Sequence, residues 1–276
     1  MTPLILDLAL ARRIELAEAH AAVDCAEALE RMRPGGVGAV EPIAGGFAIY
    51  CGAGSPVTQA VGLGLDGAVS EEEVDRLEEF YRSRNEAVRV ETCPLADASL
   101  IRHFGERGYR VTEFSNVMAL PLHGVSSPGA DGPSPVAGLT MERIGKEQID
   151  LWTLTVSQGF SENFPVTQEI LDVMKMFALG ANVECYLARV DGAVAGGATL
   201  ALCQGVAGLF GASTLPGFRN RGVQTALLKE RLRRAVAENC DLAACIAQPG
   251  SSSQRNVLRQ GFSVLYTRVK FERPWS

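Results

Sequence analysis

Apolar positions along this chain follow two rhythms, a period near two and a period near 3.6, and the switches between them mark its elements. In the second half, 183–190 and 193–202 are apolar runs of strand character. They are joined by Asp191-Gly192, a pair suited to a tight two-residue hairpin. A third run, 206–213, stops at Leu215-Pro216. Helical spacing then takes over, with Val223, Leu227, Leu232, Ala235 and Val236 on one side of a helix predicted over 223–238. Beyond it, 242–247 reads as a strand, 253–260 as a short helix stopped by Gly261, and 262–272 as a closing strand. Upstream, 139–143 has strand character, while 146–156 and 167–177 carry helical spacing.

The first half repeats this plan. Runs at 47–52 and 57–65 form a strand pair, 74–83 a helix, 88–92 a strand, 98–106 a helix and 109–120 a strand. Gly108-Tyr109 and Gly261-Phe262 hold matching places, each after a proline (Pro94, Pro249) and a short helix. Between the halves, residues 121–138 contain four prolines, four glycines and three serines, a composition that suits a linker. The pattern predicts an α/β (α+β) chain in three parts: 1–120, the 121–138 linker and 139–276. Each large part should hold a mixed, mostly antiparallel sheet flanked by helices.

Composition narrows the function classes. With 276 residues and 47% hydrophobic content, the chain can bury one large core or two smaller ones. No apolar run approaches the roughly 20 residues that span a membrane, and Asp7 with Arg12-Arg13 breaks the signal-peptide order. Seven cysteines are scattered without a CxxC pair or histidine at ligand spacing. Reduced core thiols, a cytoplasmic setting and no metal are expected. Charge is uneven: residues 1–135 hold 11 basic and 20 acidic side chains, residues 136–276 hold 15 and 12. The basic ones gather at Arg219, Arg221, Lys229, Arg231, Arg233 and Arg234. A solvated helix face is one reading, and local positive potential beside an anion loop is the other. Nucleic acid is not expected as a partner, because the whole chain is acidic and no base-reading motif occurs.

The segment 214–228 carries the chemistry. A strand ends, Arg219, Arg221 and Gly222 follow, and a helix begins at once. The first free N–H groups of a helix and the positive end of its dipole make an anion site. Glycine lets backbone close on a phosphate, and arginine adds fork-shaped donors. A pyrophosphate-bearing ligand fits. The matching place in the first half reads Asp66-Gly-Ala-Val-Ser-Glu-Glu-Glu-Val. There Ser70 and Glu73 fit a capping box that closes the helix end internally, and three consecutive carboxylates would repel a pyrophosphate.

Arg219-Asn-Arg-Gly222-Val-Gln224, lying between strand and helix, resembles the central Q/R-x-x-G-x-G/A motif of the GNAT (general N-acetyltransferase) superfamily. Gln224 is the one departure. Residues 254–262, a short helix ending in Gly261-Phe262, look like the family's next motif. The resemblance covers 139–272 and, more weakly, 40–120. It implies two GNAT-like domains, of which the first lacks the cofactor loop. That copy would be scaffold, acceptor-site wall or a homodimer surface.

The same resemblance implies acetyl-CoA as acyl donor. Its pyrophosphate would lie on Arg219 and the N–H groups of Asn220, Arg221, Gly222, Val223, Gln224 and Thr225. Its pantetheine arm would pair with the strand edge at Ser213, Thr214 and Leu215. Asn256 would touch the same arm, or else be an ordinary helix-surface asparagine. An amine would attack the thioester directly, with the developing oxyanion on an N–H near Leu215. All three histidines (20, 103, 123) precede residue 136, so a base for the ammonium proton is a carboxylate, a carbonyl-held water or a group from the first half. Glu184 and Glu162 are the carboxylates to test, each otherwise a solvated charge. Val257 stands where many family members place a tyrosine as thiolate acid; Tyr266 is a substitute or a core-edge residue. Trp152 and Phe160 read as packing groups. The expected activity is N-acetylation of a small or amino-acid-like primary amine. The alternatives are a non-catalytic acyl-CoA-binding module and, more weakly, a nucleotide-binding protein.

Overall fold

A computed structural model describes residues 4–35, 38–123, 137–161 and 165–275. The expected linker falls largely outside these residues, at 124–136. The chain divides into two compact units, Met1–Met118 with Ile246–Ser276, and Ala119–Cys245.

The first unit opens with α1 (Leu8–Met32), a helix capped by Asp7, whose Oδ1 accepts from the Leu10 N–H at 2.8 Å. The sequence pattern did not predict it, because its buried face is mostly alanine (Ala11, Ala17, Ala26, Ala28) and gives little apolar contrast. There follow β1 (Gly38–Ile43), β2 (Gly46–Cys51), β3 (Gln59–Val61), α2 (Glu71–Arg82), β4 (Val88–Thr92), α3 (Ala98–Glu106) and β5 (Arg110–Pro121). In the second unit come β6 (Leu139–Arg143), α4 (Ile149–Phe160), α5 (Gln168–Ala178), β7 (Val183–Val190), β8 (Ala193–Cys203), β9 (Val206–Thr214), α6 (Val223–Ala237) and β10 (Leu242–Ala247). The chain then returns to the first unit as α7 (Ser252–Leu258) and β11 (Ser263–Arg273).

This division departs from the linear halves expected at 120 and 139. The physical reason is a ladder: β11 runs antiparallel to β4, with Val269 opposite Thr92 and Arg273 opposite Val88. Strand order in the first unit is β1-β2-β3-β4-β11-β5, and in the second β10-β9-β8-β7-β6. Strand pairing within each unit is mostly antiparallel, and each unit carries a parallel pair, β3–β4 and β9–β10, whose strands are joined by a helix. Leu77, Phe80, Tyr81, Phe104 and Tyr109 pack the first core. In the second, buried Trp152 packs with Val156, Cys185 and Leu187, and its Nε1 donates to the Tyr186 carbonyl at 3.2 Å. Phe160 differs from its expected packing role: its ring is exposed.

The internal repeat is visible in matched details. Gly108 and Gly261 both take left-handed φ, 75° and 92°, just past a short helix. The next residue in each case, Tyr109 or Phe262, donates back to the carbonyl five positions earlier, Phe104 or Val257. This is the helix-ending turn that glycine favours.

Candidate active site

The second unit gains an opening from one extra residue in β9. On β8, Gly197 faces Ser213 and Thr199 faces Phe210, so two steps on β8 span three on β9. Gly211 absorbs the surplus at φ 55°, and a Cβ there would stand 2.5 Å from Thr199 Oγ1. Left-handed backbone and that close hydroxyl both favour glycine here. A bulge of this kind bends its strand and raises the local twist. Accordingly β10 accompanies β9 only from Leu242–Val206 to Ala244–Gly208, and the ladder ends before the bulge. From Leu209 onward β9 has no β10 partner among the described residues, and the two strands part.

Hydrogen bonding decides what the open edge offers. The Leu215 N–H donates to the Ala195 carbonyl at 2.9 Å. With Gly196 opposite Thr214, that bond makes Thr214 a non-hydrogen-bonded position of the β8–β9 ladder, so its own N–H and carbonyl turn away from β8. The Leu215 N–H is therefore engaged within the sheet, whereas the neighbouring Thr214 N–H faces away from β8. The buried Ser213 Oγ donates to the Val156 carbonyl at 3.0 Å, fixing its side chain against α4. α4 crosses this strand end so closely that a Cβ on Gly159 would strike Ser213 Oγ.

The loop that follows is built for a tight entry into α6. After a single turn at Pro216–Phe218, Asn220 and Gly222 both adopt left-handed φ, 58° and 78°. Gly222 is the N-cap and contributes no side-chain cap, and the helical ladder opens with the Ala226 N–H donating to the Gly222 carbonyl at 3.0 Å. The N–H groups of Val223, Gln224 and Thr225 precede that bond and face outward along the helix axis. Arg221 is exposed, its guanidinium carbon 5.5 Å from the Phe218 ring centre.

Arg219 is engaged by backbone carbonyls. Its Nε donates to the Thr214 carbonyl at 3.3 Å and its Nη2 to the Gly159 carbonyl at 3.1 Å, fastening the loop to β9 and α4. Gln224 Oε1 accepts from Thr214 Oγ1 at 3.4 Å, tying the helix start to the same strand end.

Of the candidate acid and base residues, Glu184 lies away from this strand end. Glu184 pairs with Leu200 on β8, which pairs with Leu209 on β9, five residues before Thr214. At about 3.3 Å per strand residue it stands roughly 15 Å back along the sheet. Arg234 grips its carboxylate through Nη2 at 2.7 Å, Arg143 through Nη1 at 2.8 Å, and the Tyr186 hydroxyl donates at 2.6 Å. Burial works to raise its pKa, but these donors outweigh it and hold the carboxyl at about 2. Such a group takes no proton near neutral pH. Glu162 lies outside the described residues. Tyr266 and Asn256 belong to the first unit. The Tyr266 hydroxyl, pushed up by burial and by Glu15, donates to Glu15 at 2.8 Å beside buried Arg268. Asn256 Oδ1 accepts from Arg259 within its own helix. Among the described residues no cluster of three or more metal-binding side chains occurs, and no helix is long and apolar enough to cross a membrane. Six of the seven cysteines are buried.

Sequence reasoning missed Gly211. Its signal was present, a glycine inside an otherwise apolar strand pattern, which marks a bulge or a close backbone approach.

Residues 150–262 match the acetyltransferase (GNAT) family. No curated protein matches the chain in sequence. Among solved structures, the fold is similar to a GCN5-related N-acetyltransferase from Kribbella flavida, with 16% identity, 94% of this chain and 96% of that one covered, and a TM-score of 0.65. It is similar also to a tandem GNAT protein from the clavulanic acid biosynthesis pathway, with 15% identity, 94% and 95% covered, and a TM-score of 0.60. A GCN5-related N-acetyltransferase from Sphaerobacter thermophilus gives 17% identity, 73% and 66% covered, and a TM-score of 0.54. The two-unit fold is thus that of tandem GNAT proteins.

Proposed function

From the GNAT acetyltransferase domain that residues 150–262 form, we propose that the chain moves an acetyl group from acetyl-CoA to a primary amine of a small or amino-acid-like acceptor. The observation that carries this reading is the start of α6: a left-handed glycine cap with no side chain closing it. Three N–H groups and the helix dipole there suit a diphosphate. Arg221 adds mobile positive charge, whereas Arg219 serves by holding the loop in shape. The Thr214 N–H, on the strand edge that the bulge frees, is the donor we assign to the pantetheine arm.

The transfer needs no covalent enzyme intermediate. An amine attacks the thioester carbonyl, the carbon–sulfur bond breaks, and the thiolate leaves. Alkylammonium groups have pKa values near 10, so the attacking nitrogen must first lose a proton. We leave Glu184 and Tyr266 out of this step, because Arg234 holds the Glu184 carboxylate and a buried bond to Glu15 holds the Tyr266 hydroxyl. Glu162, or water held on a backbone carbonyl, is the acceptor we propose for the proton. Most of the acceleration then comes from holding the two reactants together.

Calorimetry with coenzyme A and a free-thiol assay against a panel of amines test the proposal. Tight binding with amine-dependent thiol release supports it. Absence of binding overturns it, and binding without turnover on any amine would make the chain an acyl-CoA-binding module instead.

A further inference from the structure

Arg231 sits on the third turn of α6 at a position the helix reserves for core: Val223 and Leu227 precede it at four-residue intervals on the same face. It is buried, 3% exposed, and every hydrogen bond it makes goes to a backbone carbonyl. Nε donates to Leu227 at 3.1 Å in its own helix; Nη1 donates to Thr199 at 2.9 Å and to Phe210 at 3.5 Å. Among the described residues no carboxylate is bonded to it. Burial alone pulls its pKa down, to about 10, against weak support from Cys245 and Tyr186.

A cation held this way is costly. Leucine or methionine would fill the same space without desolvating a charge, and buried charges lacking an ionic partner cost several kcal/mol. The compensation must come from the groups it touches, and their location is specific. Thr199 and Phe210 are the last facing pair on β8 and β9 before the extra residue at Gly211. A bulge leaves ladder groups unpaired at its base, and an unpaired buried carbonyl is destabilising. Nη1 supplies donors to both carbonyls while Nε holds the Leu227 carbonyl, a set that a lysine with its single nitrogen could not span.

We infer that Arg231 is a positioning residue: it fixes the bulge that turns β9 away from β10, and so sets the Thr214 edge against the start of α6. Its head reaches the bulge while its backbone belongs to the helix whose N-terminus forms the anion loop. One side chain thereby ties together the two surfaces that a phosphopantetheine ligand would bridge. The inference rests on the proposed function for its ligand, but the geometry it describes exists without one.

The test uses the full chain with Arg231→Met and Arg231→Lys, read by hydrogen exchange without ligand and by calorimetry with coenzyme A. In the Met variant, amides of 210–214 should exchange about tenfold faster while those of β7 keep wild-type rates, the size expected for losing charge-assisted bonds to one local segment. Coenzyme A should bind about tenfold more weakly, with the Lys variant between the two. Wild-type exchange at 210–214 in the Met variant overturns the inference. So does faster exchange spread evenly over β7 to β10, which would mark ordinary loss of core stability. Should the Met variant fail to fold, the Lys variant is judged by the same criteria. A wild-type protein that ignores coenzyme A would sink the cofactor reading, yet the exchange arm would still decide the role of Arg231.

Discussion

Two helices follow a parallel-paired strand in this molecule, α2 in the first unit and α6 in the second, and they begin in opposite ways. At α2, Ser70 Oγ accepts from the Glu73 N–H at 3.2 Å, and Glu73 returns a bond to the Ser70 N–H at 2.8 Å. Glu71, Glu72 and Glu73 then neutralise the dipole. At α6 a glycine stands where the serine would be, no acidic residue occupies the first turn, and no side chain caps the end. One helix start is complete in itself. The other has no side-chain cap, and it is the one to which we assign the cofactor.

The comparison can be broken most severely at Gly222. Gly222→Glu places a side chain in left-handed backbone and a carboxylate beside the free N–H groups, and affinity for coenzyme A should fall at least about a hundredfold. Calorimetry reads this directly, and near-native affinity would remove the cofactor loop from its assigned place.

The far end of α6 offers the second test. Arg234, in the last turn, is held by Glu184. The Glu184 pKa lies at about 2 against an ordinary 4.5. A depressed carboxylate stabilises the fold above its unfolded pKa, and that stability disappears as pH falls from about 5 toward 2. Glu184→Gln should cost on the order of 2 kcal/mol at neutral pH in denaturant unfolding and flatten the acid limb of the stability curve. The pH profile of turnover near neutrality should not move. A shifted profile would return Glu184 to the catalytic group.

Arg221→Ala probes the exposed charge at the open start. Coenzyme A should bind about tenfold more weakly, with a shallower salt dependence, because one mobile cation is gone. The smallest effect belongs to the closed start: Ser70→Ala should lower stability by about 1 kcal/mol, seen as a lower Tm, and leave coenzyme A affinity unchanged. A change in affinity there would mean that the first copy contributes to binding after all.

Much of this contrast was legible in the residues. The Ser70–Glu73 box, the Asp191-Gly192 turn with φ of 50° and 83°, and the start of α6 at Val223 all follow from local chemistry. What local chemistry could not supply was the identity of long-range partners. Nothing in the Glu184 neighbourhood announces that Arg143 and Arg234 close on it, from a strand 41 residues earlier and a helix 50 residues later. Arg219 sits in a motif where arginine serves phosphate, and only the path of β9 and α4 shows it bonded to carbonyls. Tyr266 lies in a strand correctly expected, but its partner Glu15 sits on a helix whose alanine-rich face hid it from periodicity. Arg231 left a trace, a charge at an apolar-face position, and its meaning emerged only once the bulge was located.

The placement of β11 between β4 and β5 has a consequence for synthesis. A ribosome delivers residues 1–118 well before 246–276, so the nascent first unit waits with a vacant slot in its sheet. Two unfilled edges, the kind of surface that invites mispairing, stay exposed while all of Ala119–Cys245 is being made. A translation product halted after Cys245 should accordingly be cut by protease within its first hundred residues, and resist once the final strand is supplied.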